Sequence, residues 1–136
     1  MNEKKFSNWL MMYWLTGAGI HAQRIETTTA SGVPDINVCM QGLEFWIETK
    51  VFTPSKDVML RPYQRNWMHR RSCADGLSYV LALDEQTNLI HIWPYKMMAY
   101  ESSGAYLRIT TKAPVTIEKN VDLKSRFFGT IKHFKI

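Results

Sequence analysis

The stretch GVPDINVCMQGLEFWIETK, residues 32–50, alternates apolar with polar positions and yet carries Asp35, Glu48 and Lys50. "DINVCM" alternates, Gln41-Gly42 supplies a turn and "LEFWIETKVF" alternates again, so residues 35–52 are predicted to form an antiparallel hairpin. Side chains alternate across a sheet, which puts Leu43, Phe45, Ile47 and Thr49 on one face and Glu44, Trp46, Glu48 and Lys50 on the other. An acid on the incoming strand and Glu-x-Lys on the outgoing one gather two carboxylates and an ammonium on one surface. Those oxygens suit a hard cation such as Mg²⁺, which keeps several waters and needs few protein carboxylates. Such an ion can act on a phosphodiester as Lewis acid and template. A neighbouring Lys can orient the attacking water or stabilise the charge that builds on phosphorus.

Upstream, Phe6, Trp9, Leu10, Tyr13 and Trp14 recur at three and four residues, predicting a first helix from Glu3 to about Gly17. "HAQRIETT" reads as a short strand, and "TTASG" as a polar loop with turn and phosphate-contacting chemistry. Downstream, "RPYQRNWMHRRSCADG" reads as a second helix, with Pro62 in its first turn and Gly76 closing it. "LSYVLAL" and "LIHIW" make a second strand pair around "DEQTN". "YKMMAYESSG" reads as a short helix after Pro94, and "YLRITT", "VTIEK" and "GTIKHFKI" as short β-like pieces. The expectation is one α/β domain over residues 1–136, with a core over about 3–94, a C-terminal extension over about 95–136, and a mixed central sheet flanked by helices.

At 136 residues the chain suits one domain with a real core. Its 46% hydrophobic and 21% charged residues are globular proportions, and it holds no repeat or low-complexity tract. A formal charge of +5 and a pI near 9.3 favour phosphate polymers or anionic surfaces as partners. Cys39 and Cys73 lack disulfide or zinc spacing and read as reduced structural thiols. The four histidines have no ligand spacing, and no Walker loop, nucleophile elbow or dinucleotide fingerprint occurs. The apolar run Trp9–Ala18 falls well short of the roughly 20 residues of a membrane span, and no cleavage site follows it. The tryptophans and methionines fall mainly on apolar stripes, as core. A soluble cytoplasmic protein is the working expectation.

A lone Glu-x-Lys is commonplace on exposed strands. Here it follows Gly32-Val33-Pro34-Asp35, where Gly permits close backbone approach and Pro sets the angle at which Asp35 joins the strand. With Glu48-Thr49-Lys50, this stretch resembles the PD-(D/E)XK nuclease superfamily, most of all the virus-type replication-repair (VRR-NUC) nucleases and the phage and archaeal Holliday-junction resolvases. The resemblance covers about residues 3–80. It implies the restriction-endonuclease-like fold and an Mg²⁺-dependent endodeoxyribonuclease, with Mn²⁺ able to substitute. It implies further that Asp35, Glu48 and the carbonyl of Thr49 hold the metal and that Lys50 is the catalytic lysine. The family's additional glutamate falls on Glu3 in the first helix or on Glu26 before the glycine loop, and the sequence leaves both open. Gln64 matches a glutamine that bonds a phosphate or a water near the metal. Lys56, Arg61, Arg65, His69, Arg70 and Arg71 make a basic run suited to phosphate contacts.

The small size argues against base-specific reading and for structure-selective cutting of branched or junction DNA. Symmetric cutting of a junction calls for a homodimer. The resemblance points to a phage origin, hence to the host cytoplasm. Alternatives are a catalytically silent DNA-binding module, a non-specific nicking nuclease of the same fold, and an interaction protein using residues 61–71 as its partner surface.

Overall fold

The computed structural model describes residues 1–26 and 31–135. Most of the predicted polar loop "TTASG" therefore lies outside the described residues. In chain order the elements are α1 (Glu3–Tyr13), β1 (Ile20–Arg24), β2 (Ile36–Met40), β3 (Leu43–Phe52), β4 (Met59–Leu60) and α2 (Pro62–Cys73). They continue with β5 (Ser78–Asp84), β6 (Leu89–Pro94), β7 (Tyr100–Ser103), β8 (Tyr106–Ile109), β9 (Val115–Glu118) and α3 (Lys124–Phe134).

The predicted hairpin is β2–β3, in the register Ile36↔Ile47 to Met40↔Leu43. Its two-residue turn places Gln41 at φ 51° and Gly42 at φ 84°, the doubly positive pattern whose twist matches antiparallel strands. The main sheet runs β1-β2-β3-β5-β6-β9, and β3–β5 is its one parallel pair among the described residues. Parallel neighbours need a crossover, and α2 provides it between β3 and β5.

Alternation along β3 assigns the two faces. Phe45 and Ile47 are fully buried with Phe6, Leu10 and Trp14, and with Phe127 and Ile131 of α3. On the other face, Val80 and Ala82 of β5 pack with Met68 of α2 and with Leu60 and Ile109 of a small second sheet, β4-β8-β7. Glu48 and Lys50 face that second layer, where Gln64 of α2 meets them.

Two sequence expectations are corrected here. "YKMMAYESSG" is no helix beyond a single 3₁₀ turn at Tyr95–Met97, and it continues as β7, which pairs with β8. Cross-strand pairing satisfies the backbone there better than an isolated short helix could. "GTIKHFKI" is not β-like where it is described: residues 129–134 are the latter half of α3, and Ile136 lies outside the described residues. Leu123, Phe127, Ile131 and Phe134 repeat at helical spacing and bury one stripe, with Phe127 stacked on Trp14 at 5.0 Å. Beyond residue 94, Tyr95, Ile109 and Ala113 join the second core, while β9 in the central sheet and α3, through Phe127 and Ile131, join the main one. Both cysteines are free, but Cys73 is exposed on α2, its Sγ 3.6 Å from His69 Nε2.

Candidate active site

With Ile36 paired to Ile47, the next residues outward are Asp35 and Glu48, so strand register brings the two acids together. Asp35 Oδ2 accepts from the Thr49 backbone N–H at 2.8 Å and from Thr49 Oγ1 at 2.6 Å. Since Thr49 Oγ1 donates to Asp35, its other contact, Ser7 Oγ at 2.9 Å, must donate to it. Ser7 is buried on α1, so a relay of hydroxyls from the first helix fixes the Asp35 carboxylate. Sequence reading missed Ser7. Its signal was a polar residue on the stripe Ser7, Leu10, Trp14, where a buried hydroxyl requires a partner.

Glu48 is 3% exposed. Gln64 Nε2 donates to Glu48 Oε2 at 3.1 Å, while Gln64 Oε1 accepts from Lys50 Nζ at 3.1 Å and from the Arg61 backbone N–H at 2.9 Å. The Arg61 N–H can only donate, which fixes the orientation of the Gln64 amide. Lys50 Nζ stands 3.7 Å from Glu48 Oε2, an ion pair too long for a hydrogen bond. One glutamine therefore ties together the acid, the lysine and the first turn of α2.

Burial, then the charge of Asp35, push the Glu48 carboxyl up to about 8, against a downward pull from Lys50; the charge of Glu3 raises it further. One ammonium does not neutralise this group of carboxylates, and a divalent cation would. The donors are hard oxygens: the two carboxylates and the Thr49 carbonyl between Glu48 and Lys50. Among the described residues no three His, Cys, Asp or Glu side chains cluster as a metal cage. Mg²⁺ needs none, because one or two carboxylates with waters suffice. The residues present fit that ion.

The two further glutamates differ. Glu3 lines a cleft of about 300 Å³ together with Lys50, Lys56 and Arg61, and its charge reaches Glu48. Glu26 is exposed beyond β1, 3.7 Å from Arg24, and no contact joins it to Glu48 or Lys50 among those described. The basic run also divides. Lys56 and Arg61 border the cleft, whereas Arg65 lies over Tyr100 at 5.6 Å. Arg71 is held between Trp46 and Trp67 and 3.8 Å from Glu44, and Arg70 lies beside it at the far end of α2. His69 bonds Tyr95 through Nδ1 at 3.2 Å.

Gly32 holds the loop leading to Asp35 against α2. It has φ +77°, and a Cβ there would lie 2.1 Å from the Tyr63 carbonyl oxygen. Backbone cannot yield as a side chain does. Gly32→Ala is expected to lower stability by roughly 2 kcal/mol or more and to displace Asp35 from Thr49. Urea unfolding checks the first effect and cleavage the second; an unchanged midpoint with full activity would contradict the close approach.

No protein-family model and no curated protein matches this chain. Among solved structures, it is similar to Archaeoglobus fulgidus Hjc, a Holliday junction resolvase from an archaeal hyperthermophile. The TM-score is 0.59 at 16% identity, covering 90% of this chain and 95% of that one. At that identity the likeness shows the fold: a restriction-endonuclease-like α/β domain with a central mixed sheet flanked by helices.

Proposed function

We propose that this protein is a metal-dependent endonuclease that hydrolyses DNA phosphodiesters, selectively at branched or junction structures. The observation that carries the reading is the assembly of Asp35, buried Glu48 and Lys50 on one strand pair, joined through Thr49 and Gln64. The fold shared with a resolvase supports it.

Asp35, Glu48 and the Thr49 carbonyl would hold Mg²⁺ or Mn²⁺. A bound cation supplies Lewis acidity at the phosphate and lowers the pKa of a water. Lys50, positioned by Gln64, presents positive charge where it can orient that water and stabilise charge developing on phosphorus. Glu3 borders the same cleft and is the better placed of the two further glutamates to orient water or cation. Lys56 and Arg61 neutralise flanking phosphates, which makes binding salt-dependent. Cutting two strands of a junction requires two such sites, hence a two-fold homodimer. Among the described residues no helix is long and apolar enough to cross a membrane; a cytoplasmic location belongs to the proposal.

The test is cleavage of end-labelled four-way junction, matched duplex and single strand with Mg²⁺, Mn²⁺ or EDTA, using wild type and Asp35→Ala. Wild type is expected to cut the junction best, only with metal, and Asp35→Ala to bind it without cutting. Binding by both without cleavage would leave a silent DNA-binding module. Equal cutting of all duplexes would leave a non-specific nicking nuclease.

A further inference from the structure

The small sheet β4-β8-β7 does more than cover the second core. The antiparallel register Leu60↔Leu107 sets Arg61 beside Tyr106, and the Arg61 guanidinium lies over the Tyr106 ring at 5.1 Å from its centroid. The backbone N–H of that same arginine bonds Gln64 Oε1, which also accepts from Lys50. One residue thus links the catalytic lysine to an aromatic ring. Tyr106 opens β8 after a two-residue turn in which Gly104 has φ +62°. It remains 38% exposed, and it lines the same cleft as Glu3, Lys50 and Lys56. Within that cleft Asp57 is paired with Arg108 at 3.4 Å, so Lys50, Lys56 and Arg61 line it with one acid already engaged.

An exposed aromatic ring in a cationic groove is the arrangement that receives unstacked bases, since every base presents a π-face and the cations follow the backbone. A fully paired duplex keeps its base faces covered, and the unpaired nucleotides of a fork, an opened branch point or a single strand do not. Building on the nuclease reading above, we infer that Tyr106 is a specificity-determining residue: its ring stacks on an unpaired nucleobase beside the scissile phosphate and so selects branched over fully paired DNA. Arg61 supports the ring on one side and contacts the adjoining phosphate.

The experiment compares wild type, Tyr106→Ala, Tyr106→Phe and Tyr106→Trp, all matched for thermal midpoint. Two readouts are taken: kcat/KM on a forked substrate and on the corresponding duplex, and fluorescence of 2-aminopurine placed at the unpaired position of the fork, without divalent cation. Tyr106→Ala is expected to reduce the fork-to-duplex ratio of kcat/KM about ten-fold or more, mainly through KM, and to relieve 2-aminopurine quenching. Phe and Trp should restore both. An unchanged ratio with unchanged quenching, or a loss that Phe does not rescue, overturns the stacking role. If wild type cuts no substrate, the nuclease reading fails by itself. The quenching comparison then decides the stacking: quenching lost only in Tyr106→Ala upholds it, and equal quenching in all variants ends it.

Discussion

Glu48→Gln is expected to make the metal-free protein more stable at pH 9 while abolishing both cleavage and the stabilisation by Mg²⁺. The folded state holds the Glu48 carboxyl near 8, against 4.5 for an unperturbed glutamate. Because the folded pKa is raised, the favourable contribution is fully present below about pH 4.5 and is lost as pH rises through about 8. Metal-free wild type should therefore lose on the order of a few kcal/mol across that window. Gln cannot ionise, so subtracting its stability–pH curve from that of wild type isolates the group from other acids. A cation that binds ionised Glu48 displaces its proton, so Mg²⁺ or Mn²⁺ should raise the wild-type midpoint more at pH 8 than at pH 6. The checks are urea unfolding from pH 5 to 9 and thermal midpoints with and without metal. Parallel wild-type and Glu48→Gln curves would show that Glu48 carries no buried charge. An equal Mg²⁺ shift in both would remove it from the metal site.

The hairpin that sets this geometry was readable because its information is local. Period-two alternation, the Gln41-Gly42 turn and the Pro34-Asp35 start each act within a few residues, and register then follows without reference to the rest of the chain. The α2 boundary was equally local, with Pro62 in its first turn. What escaped depended on distant partners. The stripe Leu123, Phe127, Ile131, Phe134 became a helix by packing into the main core, where Phe127 meets Trp14 more than a hundred residues earlier, and its aromatic residues look equally apt for a strand. Ser7 is an ordinary helix residue until β3 places Thr49 against it. The arginines from 61 to 71 read as one basic run, but Trp46 and Trp67 hold Arg71 while Tyr100 and Tyr106 meet Arg65 and Arg61. That division of a helix surface is set by which sheet lies beside each turn.

Lys50→Ala is expected to lower kcat on a four-way junction by about two to three orders of magnitude, the scale for removing one preorganised electrostatic group. Because Lys50 also meets Gln64 Oε1 at 3.1 Å, part of its function is geometric and separable. Gln64→Leu takes away the acceptor for Lys50 and for the Arg61 N–H, and the donor to Glu48, while leaving every charge in place. It should therefore lower kcat less than Lys50→Ala does, by about ten-fold, since the lysine persists but is no longer aimed. A positioning function also predicts non-additivity: the double variant should be hardly slower than Lys50→Ala alone, because aiming an absent lysine contributes nothing. Single-turnover rates with DNA saturated by protein check this without interference from product release. If the two losses multiply in the double variant, Gln64 acts on the substrate or the metal directly, and the hydrogen bond to Lys50 is incidental to catalysis.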